Sequence, residues 1–195
     1  MGNFYFSKTH CDRVLEYIRD IQNDATVKNL FKECMEYGDL YLIGGCIKDI
    51  AFFNKKPKDI DLVIDSSVDT PIRLRGSEKL DIKRNYFNGN RVSYKMLRFD
   101  IFNCYDLLDN IHKAARFNVD CILINLSTGD YNADIYNQGV DSGEIRIIPN
   151  SKPDWIDYYD HRRGIKLQDT LKLSFDYALF QKASDTPHLL LYKKQ

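Results

Sequence analysis

Residues 41–65 read YLIGGCIKDIAFFNKKPKDIDLVID, the most informative segment of the sequence. A short apolar run ends at Gly44 and Gly45, where a helix is expected to begin. A second apolar run follows the helix, and it starts with Asp59 and Asp61. Side chains two positions apart on a strand share a face, so we expect both carboxylates on one face of a sheet. The stretch therefore predicts a strand, a helix and a second strand in close succession.

The two ends of this stretch carry complementary chemistry. Glycines leave backbone N–H groups open to the approach of phosphate oxygens. Asp59 and Asp61 supply carboxylate oxygens, which are the ligands that Mg²⁺ prefers in proteins. Two-metal phosphoryl transfer holds its cations about 3.5–4 Å apart, which two convergent aspartates can do together with triphosphate oxygens. The residues thus predict a magnesium site beside a triphosphate cradle, as nucleotidyl transfer requires.

Length and composition set the class of protein. The 195 residues fit one domain, or one domain with a helical appendage. Aromatic residues make up 13% of the chain, which excludes a disordered protein. Lysine and arginine together number 28, as do aspartate and glutamate, so the overall charge neither requires nor forbids a nucleic-acid partner.

The cysteines and the hydropathy pattern indicate the cellular compartment. Five scattered cysteines show no zinc-ligand spacing, so we expect buried, reduced thiols. The sequence has neither a secretory apolar segment nor a span long enough to cross a bilayer. A cytoplasmic protein that does not enter the membrane is therefore expected.

Periodicity predicts helices and strands along the whole chain. Helices are predicted over 9–37 with a break near 23–24, over 46–53, over 105–115 and from 154 onward, most clearly over 166–182. Strands are predicted over 39–43, 59–64, 79–87, 91–103, 121–125, 131–136 and 145–148, with 79–87 and 91–103 forming one hairpin. This mixture predicts an α+β domain over 1–150, built on a mixed sheet flanked by helices, and a short helical C-terminal extension over 151–195.

Residues 44–61 resemble the signature of the tRNA nucleotidyltransferase and poly(A) polymerase family, within the DNA polymerase beta-type nucleotidyltransferase superfamily. That signature is Gly-Gly-x-Val-Arg-Asp, then a helix, then Asp-x-Asp at the start of a strand. Here Gly44 to Asp49 match the first part, with Lys48 in place of the arginine, and 59–61 match the second. The resemblance implies a nucleotidyltransferase head domain with a neck-like extension and a two-metal Mg²⁺ site. It also implies an NTP substrate, expected to be ATP or CTP, and a tRNA-like RNA acceptor.

The superfamily places a third metal-binding carboxylate on a strand downstream of Asp-x-Asp. Asp100 is the candidate here, because it is the one acid inside the apolar run RFDIF at 98–102. An acid in such a strand costs free energy unless it is paired or bound to a metal. We therefore predict Asp100 as the third ligand, with an ion pair to Arg98 or another basic neighbour as the alternative. Asp106 and Asp109 lie beyond the strand end, where solvation is expected.

Further downstream the family carries Arg-Arg-Asp-Phe-Thr-Ile-Asn-Ala, and residues 114–121 read AARFNVDC in the same place. The family's arginine pair and aspartate contact the triphosphate and ribose of the nucleotide. Two alanines replace the arginines here, and Arg116 falls at the aspartate. With a shift of one or two residues Arg116 meets the triphosphate, and the alternative is an exposed arginine at a helix end. Asp120, where the family has asparagine, either orients a loop or acts as a ligand.

Two further sets of residues are nucleotide-binding candidates. The family's neck begins with Glu-Asp-x-Leu-Arg, whose acid and arginine read the base edge, and residues 168–172 read QDTLK. Asp169 and Lys172 are therefore predicted to contact the nucleotide, with a solvated helix face as the alternative. Lys48 is predicted to reach the β- or γ-phosphate from the turn after the glycines, or else to pair with Asp49.

These residues predict a metal-dependent nucleotidyltransferase that moves an NMP from an NTP to a hydroxyl acceptor, an RNA 3′ end, and releases pyrophosphate. One alternative is a nucleotide-binding or interaction module with weakened catalysis, which the altered residues 114–116 favour. The pair Asp59 and Asp61 argues against it, because two carboxylates without a metal would repel each other. Another alternative is a toxin-type transferase that modifies tRNA. The chain has about half the length of family members, so a catalytic head with a short neck is expected.

Overall fold

A central mixed β-sheet organises the molecule in the computed structural model, which describes residues 4–67, 72–85, 89–148 and 158–175. The helices are α1 Lys8–Ile21, α2 Ala25–Met35, α3 Gly45–Ala51, α4 Ile111–Ala114, α5 Asp134–Ser142 and α6 Tyr158–Leu171, with a 3₁₀ turn at Asn118–Asp120. The strands are β1 Asp39–Ile43, β2 Ile60–Asp65, β3 Asp81–Arg84, β4 Asn90–Tyr94, β5 Leu97–Cys104, β6 Leu123–Asn125, β7 Tyr131–Asn132, β8 Glu144–Ile145 and β9 Ser174–Phe175. The predicted α+β class with a mixed sheet flanked by helices is confirmed.

Seven strands form the main sheet in the order β3-β4-β5-β2-β1-β6-β7, while β8 and β9 form a separate parallel pair. β2 lies at the centre, antiparallel to β1 and parallel to β5. The parallel pairing needs a crossover connection, and the chain supplies it through β3 and β4. β1 and β5, the strands on either side of β2, are each held on both edges by ladder hydrogen bonds.

Alternation along β2 separates two apolar clusters. Ile60, Leu62 and Ile64 join the main core with the buried residues of α1, α2 and α3. Val63 points to the opposite face, where it packs in a smaller cluster with Ile43 and Cys104. Because side chains alternate along a strand, Asp61 lies on that second face with Val63. The five cysteines are buried free thiols, as expected.

Local capping explains the break between the first two helices. The Asp24 carboxylate accepts a hydrogen bond from the Thr26 backbone N–H, at 2.9 Å, and so caps the N-terminus of α2. The predicted break near residues 23–24 is confirmed. β1 spans 39–43, as predicted, and β2 begins one residue later than predicted, so that Asp59 lies just before the strand.

Three of the secondary-structure predictions within residues 91–136 are wrong. The predicted arm 91–103 is two strands, β4 and β5, because Lys95 takes a left-handed conformation with φ 52° and turns the chain without a glycine or proline. The predicted strand 131–136 ends at Asn132, and α5 begins at Asp134, whose charge favours a helix start. The predicted helix 105–115 is reduced to α4.

The C-terminal helix packs on the main core. α6 contributes Leu167 and Leu171 to the main apolar cluster, and the chain then forms β9 instead of continuing as the predicted helix to residue 182. The predicted helical residues 154–157 and 176–182 lie outside the described residues. The division into a head and an extension at residue 150 stays a prediction.

Candidate active site

The glycine turn directly contacts the predicted carboxylate strand. β1 ends at Ile43, which is paired with Asp61 across the ladder, so Gly44 lies next to that acid. Gly44 has φ 85°, and a Cβ added there would lie 2.9 Å from the Asp61 Oδ2 atom. A side chain at this position would be strained in its backbone and would press on the carboxylate. The close approach of a glycine turn to an acid, which the sequence predicts, is present in the structure.

Asp61 and Asp100 are direct neighbours on parallel strands. The β2–β5 register pairs their Cα atoms, so both carboxylates lie on the same face of the sheet. Burial and the nearby Asp100 charge raise the pKa of Asp61 to about 6. Asp59 and Asp120 add to this rise, while Arg163 opposes it. The site therefore concentrates negative charge on a partly desolvated acid, an arrangement that a bound cation would relieve.

Two arginines engage the carboxylates on either side of Asp61. The Arg91 guanidinium donates two hydrogen bonds to Asp100, from Nε to Oδ1 at 2.8 Å and from the terminal nitrogen to Oδ2 at 2.9 Å. Arg98 forms an ion pair with Asp59. The ion-pair alternative for Asp100 is therefore seen, but its partner is Arg91 on β4.

The predicted three-carboxylate metal site is not preformed. In the ranges that the structure covers, no three aspartate, glutamate, histidine or cysteine side chains are gathered so that they could hold a metal ion. The donor chemistry nevertheless suits magnesium, since Asp61 and Asp100 share a face and Asp59 lies two residues from Asp61. Metal binding by these three residues stays a prediction.

A buried ion cluster fixes the helix that follows the glycine turn. The Lys48 ammonium donates to Asp120 Oδ1 at 2.5 Å and to the Val119 carbonyl at 2.7 Å. Arg163 of α6 donates to the other Asp120 oxygen, at 2.8 and 3.0 Å. Lys48 is 4% exposed and Asp120 is 3% exposed, so both charges are removed from water. Burial alone would raise the pKa of Asp120, but Lys48 and Arg163 outweigh it and lower the pKa.

This cluster decides between the sequence alternatives at two positions. Lys48 pairs with Asp120, not with Asp49, and its ammonium is enclosed by that contact. Its predicted contact with a nucleotide phosphate stays a prediction that this arrangement does not support. Asp120 orients the 3₁₀ turn at 118–120, in line with the loop-orienting alternative. Arg163, the third member of the cluster, is not among the site residues predicted from the sequence.

The remaining candidates lie away from the glycine turn along the chain. Arg116 is partly buried in the extended segment between α4 and the 3₁₀ turn, where its carbonyl accepts a hydrogen bond from the Ile148 N–H. Asp169 and Lys172 lie at the C-terminal end of α6 and line a shallow pocket with Leu173. The predicted contacts of these three side chains with a nucleotide stay predictions.

A separate cavity of about 600 Å³ lies between the end of α1, the loop after α3 and the β4–β5 turn. Lys55 and Lys56 line it together with Lys95, while Asp59, Asp61 and Asp100 do not. The cavity is therefore distinct from the carboxylate site.

Comparison with known structures identifies the fold. A CCA-adding enzyme in complex with ATP superposes with a TM-score of 0.56 at 16% sequence identity, covering 90% of this chain and 47% of that one. A tRNA nucleotidyltransferase complexed with a primer tRNA and an incoming ATP analogue gives 0.52 at 15% identity, covering 78% and 48%. An apo tRNA-processing enzyme gives 0.53 at 12% identity, covering 89% and 46%. No protein-family model matches the chain, and no curated protein matches it.

These comparisons show the fold of the nucleotidyltransferase head domain, as in CCA-adding enzymes. The chain spans slightly less than half the length of these solved proteins, and the sequence identities are low. The resemblance stated from the sequence is therefore confirmed at the level of fold. Within the described ranges, no helix combines the length and apolarity needed to cross a bilayer.

The buried cluster predicts an order of stability for two substitutions. Asp120→Asn leaves Lys48 buried without a counter-charge, which we expect to cost about 3–5 kcal/mol of unfolding free energy. Lys48→Met costs less, because Asp120 keeps its ion pair with Arg163. Urea unfolding of both variants measures the difference. Equal costs, or a larger cost for Lys48→Met, would contradict this account of the cluster.

The raised pKa of Asp61 predicts a stability gain when its charge is removed. In the unfolded chain the pKa of an aspartate is near 3.9. Between about pH 4 and pH 6 the folded chain therefore binds a proton at Asp61 that the unfolded chain does not bind. The free energy of unfolding consequently falls as the pH rises through this range. Above pH 6 we expect Asp61→Asn to be more stable than the wild type, by on the order of 2 kcal/mol.

Thermal unfolding in EDTA at pH 4.5 and pH 7.5 measures this effect. The gain should be present at pH 7.5 and small at pH 4.5. Asp39→Asn, which changes an exposed acid at the start of β1, serves as the matched control and should give no such gain. If Asp61→Asn is less stable than the wild type at pH 7.5, the ionised Asp61 carboxylate does not destabilise the folded protein, and the interpretation is wrong.

Proposed function

We propose that this chain is a metal-dependent nucleotidyltransferase that transfers an NMP from an NTP to a hydroxyl acceptor, most simply an RNA 3′ end, and releases pyrophosphate. The observation that carries the proposal is the contact between the Gly44 turn and Asp61, with Asp100 alongside. Solved proteins of the same fold include a CCA-adding enzyme complexed with ATP, another with CTP and a tRNA nucleotidyltransferase complexed with primer tRNA. ATP or CTP and a tRNA-like acceptor are therefore the first substrates to test.

The glycine turn supplies the proposed triphosphate contact. Gly45 has open space where a Cβ would stand, so backbone N–H groups of the turn can be approached by phosphate oxygens. The Lys48–Asp120 pair anchors the helix that starts there and so helps to hold the turn in place. The protein's contribution is thus positioning, which lowers the barrier by holding the reacting groups in line.

The carboxylates supply the electrostatic part of the proposal. Divalent cations held by Asp59, Asp61 and Asp100 would stabilise charge on the phosphate oxygens as the acceptor oxygen bonds to the α-phosphorus and pyrophosphate departs. The acceptor oxygen displaces pyrophosphate directly and its proton passes to water, so no covalent intermediate with the protein is required. Asp61 is the acid next to the glycine turn, and burial raises its pKa, so its side chain is expected to matter most.

A nucleotide-binding module without turnover is the second candidate. The observation that favours it is the engagement of two of the three carboxylates by Arg91 and Arg98, together with Ala114 and Ala115 at the family's arginine positions. Such a module would bind an NTP and leave it intact.

Transfer of label distinguishes the two candidates. The purified chain is incubated with Mg²⁺, each α-labelled NTP and total RNA, and label is followed in RNA and in protein. We expect label in RNA, and a loss of at least about a hundredfold with Asp59→Ala and Asp61→Ala combined, because removing charge-stabilising groups costs about that much or more. Asp109→Ala, which changes an exposed acid beyond β5, is the control and should retain transfer.

Three other outcomes have separate meanings. Label that persists in the double variant would reject these residues as the catalytic site. Label in protein would identify a protein hydroxyl as the acceptor. Binding of NTP with no label transferred would favour the module.

A further inference from the structure

Arginine side chains form ion pairs with two of the three carboxylates that would have to bind metal. Arg91 covers both oxygens of Asp100, and Arg98 pairs with Asp59, so Asp61 alone of the three has no arginine assigned to it among the ion pairs described. We propose that Arg91 is a competitor for the metal site: it holds Asp100 in the metal-free protein and must leave before a divalent cation can use that carboxylate. This inference rests on the proposed function, because it concerns the loading of the same site.

The register of the sheet puts Arg91 in this position. The β4–β5 pairing sets Arg91 directly opposite Asp100, and the β2–β5 pairing sets Asp100 directly opposite Asp61. The three side chains therefore lie in one row on one face of the sheet. Because Arg91 is paired with Asp100 in the β4–β5 ladder, its guanidinium is beside that acid in every folded molecule. Competition between Arg91 and a metal ion is therefore a property of the fold itself.

The geometry of the Arg91 contact makes it both specific and reversible. A two-pronged guanidinium–carboxylate contact is the strongest ion-pair geometry available to an arginine. The Asp100 side chain is 15% exposed, whereas the Arg91 side chain is 46% exposed at the outer side of the row. Arg91 can thus swing into solvent without disturbing the strand, while Asp100 stays beside Asp61.

Charge makes the arginine and a divalent cation mutually exclusive on Asp100. Each carboxylate oxygen already accepts a hydrogen bond from Arg91, and a divalent ion placed on the same group would lie within a few ångströms of the guanidinium charge. Like charges at that distance repel each other strongly near a protein surface, where water screens them only in part. The metal-free state therefore resists free divalent cations, although Asp61 alone would attract them.

The expected effect follows from population arithmetic. A ligand that binds only the fraction of molecules with a free carboxylate has its affinity lowered by that fraction. A partly exposed ion pair of good geometry leaves the carboxylate free in roughly one molecule in five, and so should weaken metal binding about three- to tenfold.

Binding of Mn²⁺ without nucleotide tests the inference directly. The free Mn²⁺ signal in electron paramagnetic resonance is titrated against the wild type, Arg91→Gln and Lys83→Gln. We expect Arg91→Gln to bind Mn²⁺ about three- to tenfold more tightly. Lys83→Gln removes an exposed cation from the neighbouring β3 position, where its partner is Asp81, and should change the affinity less than twofold. Arg91→Lys, which keeps the charge but loses the two-pronged contact, should fall between.

The outcomes separate this inference from the proposed function. Equal or weaker Mn²⁺ binding by Arg91→Gln, with wild-type binding that Asp59→Asn and Asp61→Asn abolish, would overturn the competitor role and leave the metal site intact. Absence of Mn²⁺ binding by every variant would overturn the competitor role, while label transfer in the presence of NTP would still decide the proposed function. An equal gain for Lys83→Gln would show a general charge effect and would also overturn the specific role of Arg91. Thermal unfolding of Arg91→Gln verifies that the variant is folded when its affinity is measured.

Discussion

The register of β2 is the constraint on which the site depends. This strand is held between antiparallel β1 and parallel β5, so Asp61 has Ile43 on one side and Asp100 on the other. A slip by one residue would turn Asp61 into the helix-covered core and move Leu62 to the carboxylate face. The alternating apolar residues Ile60, Leu62 and Ile64, all buried at 2% exposure or less, oppose such a slip. The packing of the core and the placement of the carboxylate are therefore two consequences of one pattern.

Charge pairing is the second organising feature. Lys48 and Asp120 differ from the family residues that the sequence resembles, and the structure shows that these two positions contact each other. A lysine–aspartate pair here replaces an arginine and an asparagine, and Arg163 of α6 completes it. The cluster therefore joins α3, the 3₁₀ turn and the C-terminal helix. One buried acid thus connects the glycine turn to the helix whose charged residues resemble the family's base-reading segment.

Local signals made the centre of the site predictable. The glycine pair, the acid pair and their flanking apolar runs lie within 25 residues, so spacing alone fixes their relation. The Lys95 turn and the start of α5 were mispredicted because neither carries a glycine or proline, and apolar residues continue across them. Arg91, Asp120 and Arg163 were assigned their partners only by the structure. Their contacts depend on strand register or on pairs as far apart as 72 positions in the chain, which periodicity does not encode.

The most direct measurement of the central claim is the position of bound Mn²⁺. Crystals grown with Mn²⁺ and a non-hydrolysable NTP analogue, measured at the manganese absorption edge, locate the cation by anomalous scattering. We expect manganese bound by Asp59, Asp61 and Asp100, with the triphosphate against the Gly44 turn and Arg91 released from Asp100. Manganese elsewhere on the chain, or a triphosphate bound away from that turn, would contradict it.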